Sequence, residues 1–472
     1  MNREKKLLKN TVIFAIGNFS SKLLTFLLLP IYTRILTTGE FGYYDLIVTF
    51  VTLLVPIISF QVQEGAYRFI LDNNINDKEK IISTSFFLVL RNLVLSNVIF
   101  ICSLYFIDIK YAVFILIYYN LYVISEMYLQ ITRGLQLNAI YAKAGIINTF
   151  TTLCFTVIFL VFLNYKIEGI LLSILFGFFL SIVYLESKTR IIKNIRIKYI
   201  DSVLKKQLLL YSLPLIPNIL NWWIMNVSDR LLIKYYLGSS ANGIYAIANK
   251  FPSMLIIISS IFYLAWQESA IKEANSKDRD IFYTRMFNGF FKFQFSSLFV
   301  LLSSSYILVN ILVNDDFKSA YLYMPFLFLG AIFSSFSSFY GTGFQSSKET
   351  KGAFYSSVAG SILNIIFNII LIPKIGLMGA SLATMIAFFI MWIMRIYQTK
   401  KYFNIKLDYK SISICSLLTI VFITLYYVNY SYGYRISIIL LSLVIAFLLN
   451  RKLIGNIVGT KIKSNKHVSY KE

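Results

Sequence analysis

Five basic residues interrupt long apolar stretches of this chain: Lys22, Arg91, Arg230, Lys250 and Lys292. At the centre of a bilayer a charged side chain costs about 2.5–3.5 kcal/mol even on the lenient insertion scale, so such a group normally faces water or a partner. Ammonium and guanidinium groups replace water around phosphate oxygens, and a ladder of them through the membrane's depth suits an anionic, polar cargo. Lys22 lies near the middle of its stretch, too central to snorkel easily, and is assigned to a cavity, as is Arg91. Arg230 and Lys250 lie toward the outer ends of theirs, where they either snorkel outward, pair with Asp229 or face cargo. Lys292 either snorkels inward or faces cargo.

Acidic groups in the same stretches have a second possible chemistry. Glu64 and Glu268 each precede a cation by four residues, Arg68 and Lys272, the spacing that brings side chains together on a helix. They form a gate at the cytoplasmic mouth or simply pair at helix ends. Asp45 and Glu126 are protonatable groups that would couple transport to an H+ or Na+ gradient, or else structural partners. Aromatics make up 17% of the chain, with 34 Tyr and 42 Phe; sugar rings stack on such faces, but interfacial belts account for most of them. The adjacent Trp222 and Trp223 remain of interest.

Other chemistries are excluded. The one histidine, His467, lies in the polar C-terminal tail, so no His-dependent metal site or triad fits the apolar body. Neither GxxxxGK[ST] nor a strand-to-helix GxGxxG occurs, which argues against nucleotide hydrolysis. Cys102, Cys154 and Cys415 are scattered without metal-ligand spacing. Asp315-Asp316 reads as a solvated turn, and the outer loops are short for a glycosyltransferase. No cofactor is expected. A formal charge of +23 does not point to nucleic acid, because the cations sit between apolar stretches.

The elements that must position these residues are transmembrane helices. The 472 residues are 57% hydrophobic and 14% charged, with mean hydropathy +0.69, and apolar runs of about 20 residues suffice to cross the bilayer. Fourteen spans are expected, at 10–33, 41–64, 81–107, 111–131, 146–163, 168–186, 209–233, 244–266, 283–313, 321–343, 354–372, 377–396, 411–429 and 433–450. No small-residue cleavage site follows the first, so it is expected to be retained. With Met1 inside, the inner segments collect 33 Lys and Arg and the outer loops 7, which orients both termini to the cytoplasm.

An internal repeat divides the chain. Gly42-Tyr43-Tyr44 matches Gly243-Ile244-Tyr245 at a shift of 201 residues, as Arg91 matches Lys292. Gln63-Glu64-Gly65-Ala66 parallels Gln267-Glu268-Ser269-Ala270 at a shift of 204. Six spans per copy make the repeat parallel, so an all-α polytopic fold is expected: two pseudo-symmetric six-helix lobes around a central cavity, plus two C-terminal helices. The expected bounds are 1–200, 201–404 and 405–472. The basic segment from Glu186 to Lys206 reads as the linker between lobes, touching anionic lipid heads.

The run Lys9-Asn10, Gly17-Asn18, Ser21-Lys22, Pro30-Ile31-Tyr32-Thr33, Leu36-Thr37 and Phe41-Gly42 to Asp45, with Tyr211-Ser212-Leu213-Pro214-Leu215-Ile216-Pro217, Ser228-Asp229-Arg230, Leu237-Gly238 and Gly243-Ile244-Tyr245, resembles the polysaccharide transporters. These are O-antigen and teichoic-acid-type flippases of the multidrug/oligosaccharidyl-lipid/polysaccharide exporter superfamily. The resemblance implies alternating access and movement of an undecaprenyl-diphosphate-linked oligosaccharide from the inner to the outer leaflet of the bacterial cytoplasmic membrane. It implies a cationic lumen lined by spans 1, 2, 7 and 8, and a lipid-tail groove at spans 13 and 14. Ser21-Lys22 and Glu64-Gly65-Ala66 stand where lipid II flippases carry Ser-Arg and Glu-Gly-Ala; lysine lacks the bidentate fork of arginine. The expected partners are the lipid-linked oligosaccharide, membrane lipids, a polysaccharide polymerase and glycosyltransferases, with the chain itself a monomer.

Overall fold

Residues 26–72, 75–274, 276–346, 351–428 and 431–468 are described by the computed structural model, and within them every regular element is helical. Hydrocarbon offers no partner for a backbone N–H or C=O, and a helix satisfies both within one segment. We number the helices α1 Leu29–Ile35, α2 Thr38–Ser59, α3 Val62–Asp72, α4 Ile75–Ser103, α5 Ala112–Gly134, α6 Asn138–Thr156 and α7 Ile167–Thr189. There follow α8 Ser202–Ser212, α9 Leu215–Lys272, α10 Arg279–Leu312, α11 Met324–Ser346, α12 Lys351–Thr399, α13 Tyr409–Tyr427 and α14 Tyr432–Val468.

Twelve stretches among the described residues are long and apolar enough to cross a membrane. One of them, Ser202–Ser260, is 59 residues long and holds two of the expected spans. Its helix α9 is broken at Gly238, where φ is 87° and ψ 175°. Helix α12 is likewise broken at Ile375 and Gly376, although there the two spans count separately. Thirteen of the fourteen expected spans therefore have a helical counterpart, and most of the first lies outside the described residues. The second expected span, 41–64, is corrected. Phe60 and Gln61 adopt left-handed φ of 51° and 56°, so α2 ends at Ser59 and Glu64 opens a separate helix, α3. There Gly65 packs on α8, where an added Cβ would meet Ser212 Oγ at 2.5 Å.

The chain divides into two compact units, Met1–Ala246 and Ile247–Glu472. In the first, α2 is started by a capping box: Glu40 N–H donates to Thr37 Oγ1 at 3.2 Å and Thr37 N–H to Glu40 Oε2 at 2.9 Å. The core of the second is aromatic, with Trp266 stacked on Phe339 at 4.1 Å and its indole N–H donating to the Phe339 carbonyl.

A side chain at Gly238 would be held at a φ that only glycine adopts freely, at a cost of about 1–3 kcal/mol. Gly238→Ala is expected to lower the thermal midpoint of detergent-solubilised protein. Gly145→Ala, in helical backbone with open space around it, is expected to hold or raise it.

Candidate functional site

The best-defined charged site lies in the first unit, where α2 meets α9. Arg230 Nη1 donates to Asp45 Oδ1 at 2.9 Å and, at 3.5 Å, to Thr49 Oγ1. The pair is largely buried, with side chains 20% and 7% exposed. Asp229, the adjacent carboxylate, takes a different partner: the Tyr245 hydroxyl donates to its Oδ2 at 2.5 Å and the Arg230 N–H to its Oδ1 at 2.9 Å. Of the alternatives for Arg230, the pair is thus with Asp45 across helices rather than with its neighbour.

Two glycines allow this approach. A Cβ on Gly42 would lie 1.9 Å from the Ser239 carbonyl oxygen, and one on Gly243 2.0 Å from that of Thr38. Asn242 donates its amide N–H to the Gly42 carbonyl at 2.9 Å. Gly42 and Gly243 are the equivalent positions of the 201-residue repeat, so the two copies of that motif touch each other backbone to backbone. The Trp223 indole N–H adds a bond to Thr52 Oγ1 at 3.3 Å.

A second cluster joins α3 and α5. The Gln130 amide donates to Glu64 Oε1 at 3.0 Å, and among the described residues no ion pair joins Glu64 to Arg68. The break at Phe60 and Gln61 sets Glu64 in the first turn of α3, facing α5 instead of its own helix. Arg133 lies over the Tyr67 ring at 4.4 Å and within electrostatic reach of Glu64. Glu126, one turn before Gln130 on α5, is within electrostatic reach of Glu64, and among the described residues no hydrogen bond reaches its carboxyl. Gln130 Oε1 is buried and likewise without a partner.

The remaining predicted residues are dispersed. Arg91 Nη2 donates to Asn92 Oδ1 at 3.0 Å, while its Nε is buried without a partner and no carboxylate pairs with it among the described residues. It shares the helical register of Phe87, Val94 and Val98, which lie on the exposed face of α4. Lys292 pairs with Asp408, the residue that precedes α13, at 3.0 Å. Lys250 is half-buried on α9. Lys22 and the side chains of Glu268 and Lys272 lie outside the described residues.

Charge counting missed one group. Arg395, at the end of its span, is 2% exposed and donates to the hydroxyls of Ser356 and Ser357 at 3.0 and 2.9 Å and to the Ser337 carbonyl at 2.5 Å. The available signal was the serine doublets Ser334-Ser335, Ser337-Ser338 and Ser356-Ser357 inside apolar helices. Elsewhere on α12, Asn368 donates to Asn364 Oδ1 at 3.1 Å, another polar pair one turn apart.

A family model described as polysaccharide biosynthesis protein matches residues 7–267, more than half of the chain. The chain belongs to that family. A second model, MatE, matches residues 214–370. An uncharacterized membrane protein of Methanocaldococcus jannaschii is 24% identical over 314 residues, which cover 60% of this chain and 58% of the relative's length. The fold is that of the lipid II flippase MurJ in an inward closed conformation, with TM-score 0.69 and 19% identity over 94% of this chain and all of that one. It is also that of an inward-facing multidrug resistance MATE transporter, with TM-score 0.67 and 12% identity over 82% and 98%. The chain is therefore a multi-pass membrane protein of the polysaccharide biosynthesis family, with the fold seen in those two transporters.

Removing one partner of a buried pair leaves a bare charge and costs about 3–5 kcal/mol. Asp45→Asn is expected to destabilise the solubilised protein by about 3 kcal/mol, and Asp45→Asn with Arg230→Gln to recover most of that loss in a double-mutant cycle. Outside the spans, the Asp408 carboxyl is held down to about 2, first by the Ser411 hydroxyl and also by Lys292. A carboxyl depressed on folding stabilises above its unfolded value of 3.8 and loses that contribution as pH falls toward about 2. Thermal midpoints measured across that window should fall less steeply for Asp408→Asn than for the native chain.

Proposed function

We propose that the protein flips a polyprenyl-diphosphate-linked oligosaccharide from the inner to the outer leaflet of a bacterial cytoplasmic membrane by alternating access. The observation that carries the proposal is Arg230, a guanidinium on the spanning helix α9 held by a single carboxylate of α2. Asp45 keeps that charge in place until the cargo arrives. Parting of α2 and α9 would release it toward a phosphate, whose paired oxygens match the guanidinium fork. Arg91, which has no carboxylate partner among the described residues, and Lys22 would supply further positive charge.

In this scheme the diphosphate and glycan enter the inward-open protein while the polyprenyl tail stays in lipid. Export of about two negative charges from an inside-negative cell gains roughly 2.3 kcal/mol per charge per 100 mV. Glu126, with no hydrogen bond among the described residues and with Glu64 nearby, is the proposed site of H+ or Na+ coupling. A polymerase and glycosyltransferases would act on either side of the step, and both termini would lie in the cytoplasm.

The MatE match over residues 214–370 and the neighbouring carboxylates Glu64 and Glu126 favour a second reading, a cation-coupled exporter of organic cations. Reconstituted vesicles distinguish the two. The expected outcome is protein-dependent exposure of a fluorescent polyprenyl-diphosphate glycan, falling roughly tenfold in Arg230→Ala, the effect of losing about 1.4 kcal/mol of binding. Unchanged leaflet distribution would overturn the flippase, and accumulation of an organic cation instead would establish the second reading.

A further inference from the structure

The segment that joins α7 to α8 carries charge that its own carboxylates do not answer. From Glu186 to Lys206 it holds seven cations and two carboxylates. Both carboxylates are taken by neutral donors. Glu186 Oε2 accepts from the Tyr128 hydroxyl at 3.0 Å and from the Ile192 N–H at 3.1 Å. Asp201 Oδ1 caps α8, accepting from the Val203 and Leu204 N–H groups at 2.7 and 3.1 Å. Among the described residues no ion pair reaches any of the seven cations, and all of them except Lys205 are exposed. Apolar side chains are exposed in their midst: Ile192, Ile197 and Val203 are 59%, 87% and 65% exposed. Cations interleaved with exposed aliphatic groups suit the boundary between headgroups and hydrocarbon, where each kind finds its own solvent.

The segment is also held in place. The chain turns away from α7 at Arg190, whose φ is 50°, and passes through two short turns, Ile191–Asn194 and Ile197–Tyr199, before α8 begins. Its main chain is fastened to two fully buried hydroxyls of α4. Ser83 Oγ donates to the Asn194 carbonyl and accepts from the Arg196 N–H, both at 3.1 Å, and Thr84 Oγ1 accepts from the Asp201 N–H at 3.2 Å. While the main chain faces α4, Arg196 and Lys198 lie over one ring, that of Tyr199, at 5.7 and 5.1 Å. Two cations flanking the most exposed isoleucine are thereby gathered on a shared aromatic support.

We propose that this segment is an anchor for anionic phospholipid: Arg196 and Lys198 meet the headgroup phosphate, and Ile192 and Ile197 enter the acyl boundary beside it. Two observations favour lipid over a soluble acidic partner. The segment runs directly from one membrane-spanning stretch, Ile167–Thr189, into another that starts at Ser202, so it lies where those stretches meet the membrane surface. An acidic protein would engage the cations but would give the isoleucines no role. On the orientation proposed above, the leaflet is the cytoplasmic one, whose anionic lipids attract basic clusters. The anchor is independent of what the protein transports.

The test is native mass spectrometry of the full chain, delipidated in neutral detergent and titrated with phosphatidylglycerol or with phosphatidylcholine of the same acyl chains. The native chain is expected to hold its tightest phosphatidylglycerol about fivefold more strongly than phosphatidylcholine, and Arg196→Gln with Lys198→Gln to bring that preference below about twofold. Ile197→Ser, which leaves every charge in place, should weaken the binding of both lipids about threefold. Lys400→Gln with Lys401→Gln removes two other exposed cations that lie over tyrosine rings and should retain the full preference. An equal loss in that control pair would reduce the effect to diffuse charge and overturn the anchor. So would an unchanged preference in the folded Arg196→Gln, Lys198→Gln protein, or unaltered lipid affinity in Ile197→Ser. Absence of any preference in the native chain would overturn it as well and leave the surface to an acidic protein.

Discussion

Hydrocarbon cannot solvate charge, so each ionised side chain placed within the spans must be answered by the protein itself, and that requirement organises the first unit around Asp45 and Arg230. Their contact demands that α2 and α9 approach closely. The approach is possible because Gly42 and Gly243 present no side chains where the helices touch. Small residues are the usual means of close helix approach in membranes, where the hydrophobic effect gives no drive to associate. Packing and charge are therefore coupled: any bulk at the glycines separates the pair, and any loss of the pair removes the principal polar attraction holding the glycines together.

Cations elsewhere are answered in different ways. Lys292 has a carboxylate, Asp408, at the polar end of its helix. Arg395 donates to neutral oxygens supplied by serines and carbonyls of α11 and α12, and so ties those helices together. Arg91 has an amide and one empty donor. A carboxylate partner makes a contact that can open when a competing anion arrives, whereas a cradle of hydroxyls and carbonyls is built into the helices and has no such alternative.

Much of the architecture was legible because hydrocarbon thickness imposes a length on each apolar run, and the 201-residue repeat was legible in Gly42-Tyr43-Tyr44 and Gly243-Ile244-Tyr245. That the two glycines would meet was not, since periodicity says nothing of which faces pack. The break after Ser59 escaped notice because Phe60 and Gln61 are residues with no marked preference for left-handed backbone. The expected Glu64–Arg68 pairing failed for the same reason: a new helix start redirected Glu64 toward Gln130. Burial of Arg395 was hidden by its place at the end of a span, where an arginine ordinarily reaches water.

One modest feature is the strap from Asn404 to Asp408. Its backbone N–H groups at Asn404, Lys406 and Asp408 donate to Asp280, Thr284 and Asn288, one residue per turn along α10, and Asn288 returns a bond to the Lys406 carbonyl. The strap contributes chiefly main-chain atoms, which every sequence possesses, while α10 contributes the specific side chains. The C-terminal hairpin is thus fastened by a rail that already belongs to the preceding body. Such a fastening tolerates change in the strap's own side chains, whereas a change at Asp280, Thr284 or Asn288 removes the group on which a main-chain bond of the strap hangs.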